Sequence, residues 1–159
     1  MRSLILFATK YGSVEKCAYL LKEKITGEVD IVNIRKDKVP ALDMYDKVML
    51  GGSIYIGKIQ KEILRYCREK GALLKTKKLG LFLCAGEESD KRYGYFETSF
   101  TRDLCEHAAS KEIFGHELYY EKMSLLDKLA LRFAKKPRSS YSRLDMESIQ
   151  KFASSMNRD

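Results

Sequence analysis

No stretch of this 159-residue chain approaches the ~20 consecutive apolar residues that a membrane span needs. At the N-terminus, Met1-Arg2 leads straight into Leu4-Ile5-Leu6-Phe7-Ala8 and then a polar loop. That run is too short for a signal-peptide core and has no small-residue cleavage site behind it, so a cytoplasmic protein is expected. The cysteines Cys17, Cys67, Cys84 and Cys105 form no CxxC pair and stand far apart, which points away from a zinc site or a redox dithiol. Their positions suit reduced thiols in the core. There is no G-x-G-x-x-G and no G-x-x-x-x-G-K-[ST], so neither a dinucleotide site nor a Walker-type NTPase is indicated. No acid–base pair or nucleophile stands out. His107 and His116 are isolated, the first expected on a helix surface and the second at a strand-edge turn. Without repeats, low-complexity tracts or a linker, residues 1–159 are expected to form one domain.

What is present is ordinary apolar content, 45%, with a formal charge of +8 that is unevenly spread. Between positions 121 and 143, Lys122, Lys128, Arg132, Lys135, Lys136, Arg138 and Arg143 face only Glu121 and Asp127, a net +5. Such a patch attracts an anionic substrate, an acidic partner, a membrane surface or nucleic acid.

Apolar runs at 4–8, 29–34, 47–50, 79–84 and 113–120 read as strands. Segments with helical periodicity lie between them, at 14–25, 59–71 and 96–109, and after them, at 124–136 and 146–156. Strands apolar throughout, alternating with helices, imply a parallel sheet covered on both faces. Five of them suit an α/β doubly wound sheet in the order 2-1-3-4-5. In such sheets ligands bind beyond the carboxyl ends of the strands, which singles out three loops.

The first, Thr9-Lys10-Tyr11-Gly12-Ser13-Val14, joins a buried strand to a helix N-terminus, where free N–H groups and the helix dipole favour an anion. Thr9 and Ser13 add hydroxyls, and Gly12 permits a tight curl. The same residues also make an ordinary capped turn. The second, Gly51-Gly52-Ser53-Ile54-Tyr55-Ile56-Gly57, offers glycines beside an aromatic that suit a flat ring, or simply a flexible turn. The third runs from Cys84-Ala85-Gly86 to Tyr93-Gly94-Tyr95-Phe96, small residues followed by two tyrosines whose individual roles are best read as local packing.

Together the three loops resemble the flavodoxin family. The first is similar to its T-x-[TY]-G-[NS]-[TV] phosphate motif, with Val14 where many members carry threonine. The resemblance covers nearly the whole chain and implies a flavodoxin-like fold and FMN. It places Thr9, Lys10, Tyr11, Gly12, Ser13 and Val14 around the phosphate. Gly52, Ser53, Ile54, Tyr55, Gly57, Ala85, Gly86 and Tyr93 fall near the isoalloxazine. Lys10 and the basic segment are expected to favour anionic reduced flavin.

Within that superfamily, the stretch Gly51-Gly52-Ser53-Ile54-Tyr55-Ile56-Gly57-Lys58 resembles G-[AG]-S-I-x-x-G-x of the menaquinone-dependent protoporphyrinogen IX dehydrogenases. Residues 118–136, with Tyr119-Tyr120, Leu125-Leu126-Asp127-Lys128 and Phe133, are similar to that family's penultimate region. The resemblance implies a dehydrogenase passing electrons from a porphyrinogen-like donor to a quinone. A soluble carrier docking on acidic redox proteins is the alternative. The segment 124–136 has Leu125, Leu126, Leu129, Ala130 and Phe133 on one side and cations on the other. Its apolar side is expected to cover the sheet, and residues 122–138 can meet an anionic membrane from the cytoplasmic side. Nucleic acid is not expected as a partner, because the aromatic–basic interleaving of single-strand binders is lacking.

Overall fold

The computed structural model describes residues 1–55, 57–86, 94–133 and 138–158. The N-terminal apolar run becomes β1 (Arg2–Phe7), which pairs in parallel with both β2 (Glu28–Asn33) and β3 (Lys47–Ser53). β4 (Lys78–Cys84) and β5 (Ser110–Ile113) complete a five-stranded parallel sheet in the order β2-β1-β3-β4-β5.

Alternation along β1 explains its unbroken hydrophobicity. Leu4 and Leu6 pack into one cluster with Ile63, Tyr66 and Cys67 of α2 (Lys61–Leu74). Phe96 of α3 (Gly94–Ser99) and Leu104 of α4 (Arg102–His107) join the same layer. Ile5 and Phe7 point the other way, against Cys17, Ala18 and Leu21 of α1 (Ser13–Lys22) and Ile149 and Phe152 of α6 (Met146–Asn157). A central strand with helices on both faces has no polar side to show. Phe82, Phe114 and Phe152 pack against one another in the second layer. Phe82 and Phe114 stack with centroids 4.8 Å apart, and Phe152 meets Phe114 edge-on at 5.3 Å. α6 starts cleanly because the Asp145 carboxylate accepts the Ser148 N–H at 2.9 Å, an N-cap bond.

Two elements depart from the sequence expectation. The segment 96–109 breaks into α3 and α4 at Phe100-Thr101, where Thr101 is extended (φ −68°, ψ 150°). The fifth sheet strand is Ser110–Ile113 rather than 113–120. Gly115, at φ 78°, turns the chain out of the sheet, and β6 (Gly115–Leu118) instead pairs antiparallel with β7 (Tyr141–Leu144). A side chain at Gly115 would lie 2.0 Å from the Arg143 carbonyl oxygen, so the hairpin closes only on glycine. Between β6 and β7 stands α5 (Leu125–Phe133).

α5 also corrects an expectation. Its apolar side does not cover the sheet: Leu125, Leu126 and Phe133 are 84%, 79% and 80% exposed, and the one buried residue of the helix is Asp127. All four cysteines are buried and free, with Cys17 Sγ 3.5 Å from Cys84 Sγ.

Candidate functional site

The carboxyl ends of β1, β3 and β4 open onto one cavity of about 810 Å³. The first loop supplies Lys10, Tyr11 and Ser13 to its wall. Thr9 and Gly12 shape that loop without lining the cavity. The Thr9 hydroxyl accepts the Gly12 N–H at 2.9 Å, and Gly12 sits at φ +100° with nothing near its missing side chain. This left-handed turn delivers the chain into α1, whose first turn carries no side-chain cap. The leading N–H groups of a helix have no intrahelical partner, so α1 presents donors beside Ser13. Val14 is fully buried in the core and takes no part in the wall.

The second loop supplies Ser53, Ile54, Tyr55 and Gly57. Gln60 fixes it: its Oε1 accepts the Ser53 N–H at 3.0 Å, and its Nε2 donates to the Ser53 hydroxyl at 2.8 Å. Tyr55 and Lys58 exchange backbone bonds of 2.9 and 3.1 Å around Gly57, at φ +70°. Gly52 has another explanation than a flat ring. It is buried in β3, and a Cβ there would meet Ile59 at 2.5 Å. The third loop supplies Ala85 and Gly86, while Tyr93 lies outside the described residues. Tyr95 also lines the cavity rather than packing only locally.

The opposite wall is the part that the sequence did not announce. It comes from the excursion between β5 and α6: His116, Glu117 and Tyr119 around β6, Ala130 and Leu131 of α5, and Tyr141 with Arg143 of β7. His116 is therefore a cavity residue rather than an isolated turn histidine. His107, by contrast, sits at the surface with Nε2 3.0 Å from the Lys77 carbonyl oxygen.

Two buried carboxylates anchor this wall. Glu117 accepts from Lys16 Nζ at 2.7 Å and from the Tyr119 hydroxyl at 2.6 Å, and Ser142 donates as well. Burial opposes its ionisation, but these donors outweigh it and hold the carboxyl below the ordinary glutamate range. The hydrogen bond to Glu117, with burial behind it, pushes the Tyr119 phenol up to about 12.

Asp127 is the second. Lys10 Nζ lies 2.7 Å away, and the hydroxyls of Tyr11 and Tyr55 both donate to it. Its own N–H donates to the Ser124 hydroxyl at 3.2 Å, the cap that starts α5. Burial again opposes ionisation, and the donors from Lys10, Tyr11 and Tyr55 overcome it, leaving the carboxyl far below the usual aspartate range. Burial first, then the bond to Asp127, raises the Tyr55 phenol well above its ordinary value. Lys10 also sits 4.1 Å over the Tyr55 ring. Its charge is thus compensated by the Asp127 carboxylate.

The basic segment is split. Lys122 and Lys128 stand over the rings of Tyr119 and Tyr120 at 4.6 and 5.1 Å. Lys135 and Lys136 lie outside the described residues. No helix among the described residues is long and apolar enough to cross a membrane.

A family model described as a flavodoxin domain matches residues 4–145. No curated protein matches the chain. Among solved structures, a Streptococcus pneumoniae TIGR4 flavodoxin is 19% identical at a TM-score of 0.63, with 98% of this chain and 97% of that one covered. The rubredoxin oxygen:oxidoreductase of Desulfovibrio gigas is 13% identical at a TM-score of 0.63 over 98% of this chain, which spans only 35% of that enzyme. A Fusobacterium nucleatum flavodoxin bound to flavin mononucleotide is 10% identical at a TM-score of 0.52, with 69% and 68% covered. At these identities the likeness is one of fold.

Proposed function

The chain belongs to the flavodoxin domain family, and on that premise we propose that it binds FMN as a single flavodoxin-like domain and serves as an electron-transfer protein. The observation that carries this reading is the convergence of all three strand-end loops on one cavity, entered beside an uncapped helix N-terminus. Ser13 and the first amides of α1 would hold the phosphate, with Thr9 and Gly12 fixing the turn. Ser53, Ile54, Tyr55, Gly57, Ala85 and Gly86 would flank the ring. Bound there, the flavin supplies the redox chemistry, and the chain orients it and excludes water.

The finer reading is a dehydrogenase that takes electrons from a porphyrinogen-like donor and gives them to a quinone. The second wall supports it. A carrier needs only an exposed flavin edge, whereas this cavity continues to His116, Tyr119, Tyr141 and Arg143 and lies near the top of the ~300–1,000 Å³ range of ligand pockets. The outward Leu125, Leu126 and Phe133, with Lys122 and Arg132 nearby, suit peripheral contact with the anionic membrane that holds a quinone. The alternative is a soluble carrier that uses the same surface to dock on acidic redox proteins.

The deciding experiment is a visible absorbance titration with FMN, followed by anaerobic mixing of the reduced and oxidised protein with porphyrinogen and quinone. Flavin bands that appear in the wild type and vanish in Thr9→Ala/Gly12→Val support the cofactor. No uptake at micromolar FMN overturns it. Reduction of the bound flavin by porphyrinogen selects the dehydrogenase, and its failure leaves the carrier.

A further inference from the structure

α5 is an unusual cover. Most of its large apolar side chains point to solvent, yet Ala130 and Leu131, one turn beyond Asp127, form part of the cavity wall. An amphipathic helix ordinarily holds its place by burying its apolar stripe. Here the inward contact is polar, and it converges on one residue. The Asp127 carboxylate receives Lys10 and Tyr11 from the first loop and Tyr55 from the second. The Tyr11 hydroxyl in turn accepts the Ser124 N–H at 3.3 Å, so the start of α5 is tied to the same loop twice.

The three partners of Asp127 all line the cavity, and they come from two loops that no backbone ladder joins at that point. A single carboxylate therefore does three things: it sets the rotamers of both tyrosines, fixes the Lys10 ammonium, and seats the helix that closes the outer wall. Its side chain is 11% exposed, so the ion pair is shielded from solvent on the Asp127 side. Charge-assisted hydrogen bonds of this kind are the strong ones, and losing the charge weakens all three at once.

We propose that Asp127 is a positioning residue that latches α5 over the cavity by gripping Lys10, Tyr11 and Tyr55, and that this latch limits the rate at which the cofactor leaves. The cofactor half rests on the FMN reading above; the latch itself does not. Opening the latch swings Ala130 and Leu131 away from the cavity and lets Tyr55 rotate. It also leaves the Lys10 charge uncompensated beside the flavin, which stabilises the reduced, more anionic form.

Two measurements on the full chain test it, with Asp127→Asn, which keeps the size but removes the charge, and Asp127→Glu, which keeps the charge. The first is amide hydrogen exchange of residues 125–133 in FMN-free protein. The expectation is exchange at least tenfold faster in D127N than in wild type, with α1 and α6 unchanged and D127E close to wild type. The second is the rate of FMN release, read as the rise in free-flavin fluorescence after the loaded protein is diluted far below its dissociation constant. Release is expected to be at least tenfold faster in D127N and restored towards wild type in D127E, with a less negative flavin midpoint potential in D127N. Unchanged exchange in a folded D127N overturns the latch whatever the flavin does. Faster exchange with unchanged release overturns its role in retention. If wild type takes up no FMN, the cofactor reading and the retention claim fall together, and exchange alone decides whether the latch exists. Should D127N fail to fold, slow exchange and slow release in D127E support the charge requirement, and loss of both there overturns it.

Discussion

Lys16 on α1 holds its ammonium 2.7 Å from the Glu117 carboxylate of β6, a contact that joins positions 101 residues apart and ties the hairpin to α1. The Glu117 side chain is 2% exposed, so it depends on this partner and on Tyr119 and Ser142 to remain ionised. Lys16→Met strands a buried charge that keeps two donors. The expected destabilisation is about 1–3 kcal/mol, with Lys16→Arg much milder, measured by urea unfolding. A loss under ~0.5 kcal/mol would show that the hairpin does not lean on this pair.

The stacked Phe82 and Phe114, with Phe152 edge-on, sit where α6 meets the sheet, and each is at most 1% exposed. Phe152→Ala opens a cavity that β4 and β5 cannot fill, since both are held in the parallel ladder. The expected cost is about 3–5 kcal/mol. At roughly 2–4 °C per kcal/mol for a chain of this size, calorimetry should find Tm lowered by several degrees to well over ten.

Gly12 separates conformation from crowding. Its φ of +100° disfavours any side chain, yet nothing stands within 4 Å of where a Cβ would go. Gly12→Ala should therefore cost about 1–2 kcal/mol through backbone strain alone. The same substitution should weaken FMN uptake, because relaxing the strain turns the first amides of α1 away from the cavity. Equal FMN affinity in G12A and wild type would remove this turn from the cofactor site.

Most of the sheet was legible because β1, β3 and β4 are buried on both faces and carry their pattern in consecutive residues. β5 was not. Its Ser110 and Glu112 are buried polar residues, and Glu112 is tolerated only because Lys151 of α6 reaches it at 2.6 Å, which the local sequence cannot reveal. The apolar signal at Ile113-Phe114 drew the strand forward past Gly115, where the chain in fact leaves the sheet.

The candidate site divides the same way. Its three loops are contiguous motifs, so a reader of the chain meets them whole. The second wall is assembled from residues up to 27 positions apart around a hairpin, with no local mark on any of them. In the sequence Asp127 is one of two acids diluting a basic segment and part of Leu125-Leu126-Asp127-Lys128, and neither context assigns it a contact. The available signal was Ser124-x-x-Asp127, a helix-start pattern that places an acid in the first turn. Amphipathicity gave the stripe on α5 but not its direction, because periodicity alone cannot say which face meets the protein.

The outward face of α5 invites a direct test. Leu126→Ser and Phe133→Ser remove side chains that are 79% and 80% exposed, so stability should change by no more than ~0.5 kcal/mol. Co-sedimentation with vesicles containing anionic phospholipid should drop at least fivefold in the double variant, while neutral vesicles bind neither protein. Equal sedimentation of variant and wild type would move the membrane contact elsewhere.

Tyrosine titration offers a check on the buried hydroxyl network. Burial, then the bond to Asp30, pushes Tyr45 up to about 12. Burial likewise takes Tyr66 up to about 12. Tyr119 reaches about 12 through its bond to Glu117, and Tyr55 stands higher still. A phenol whose folded value is raised contributes stability that is fully present below its unfolded value of about 10 and is lost as pH rises through the folded value. Phenolate absorbance in the folded chain should therefore lag behind that of the urea-unfolded chain between pH 10 and 12, and unfolding should begin near the top of that window. Asp127 and Glu117 run in the opposite sense. Their folded values are lowered, so their contribution is complete above the ordinary carboxyl range and is lost as pH falls below about 4. In D127N the acid loss should shrink, and Tyr55 should titrate earlier at the alkaline end. A Tyr55 titration unmoved by D127N would mean that the phenol owes its shift to burial alone.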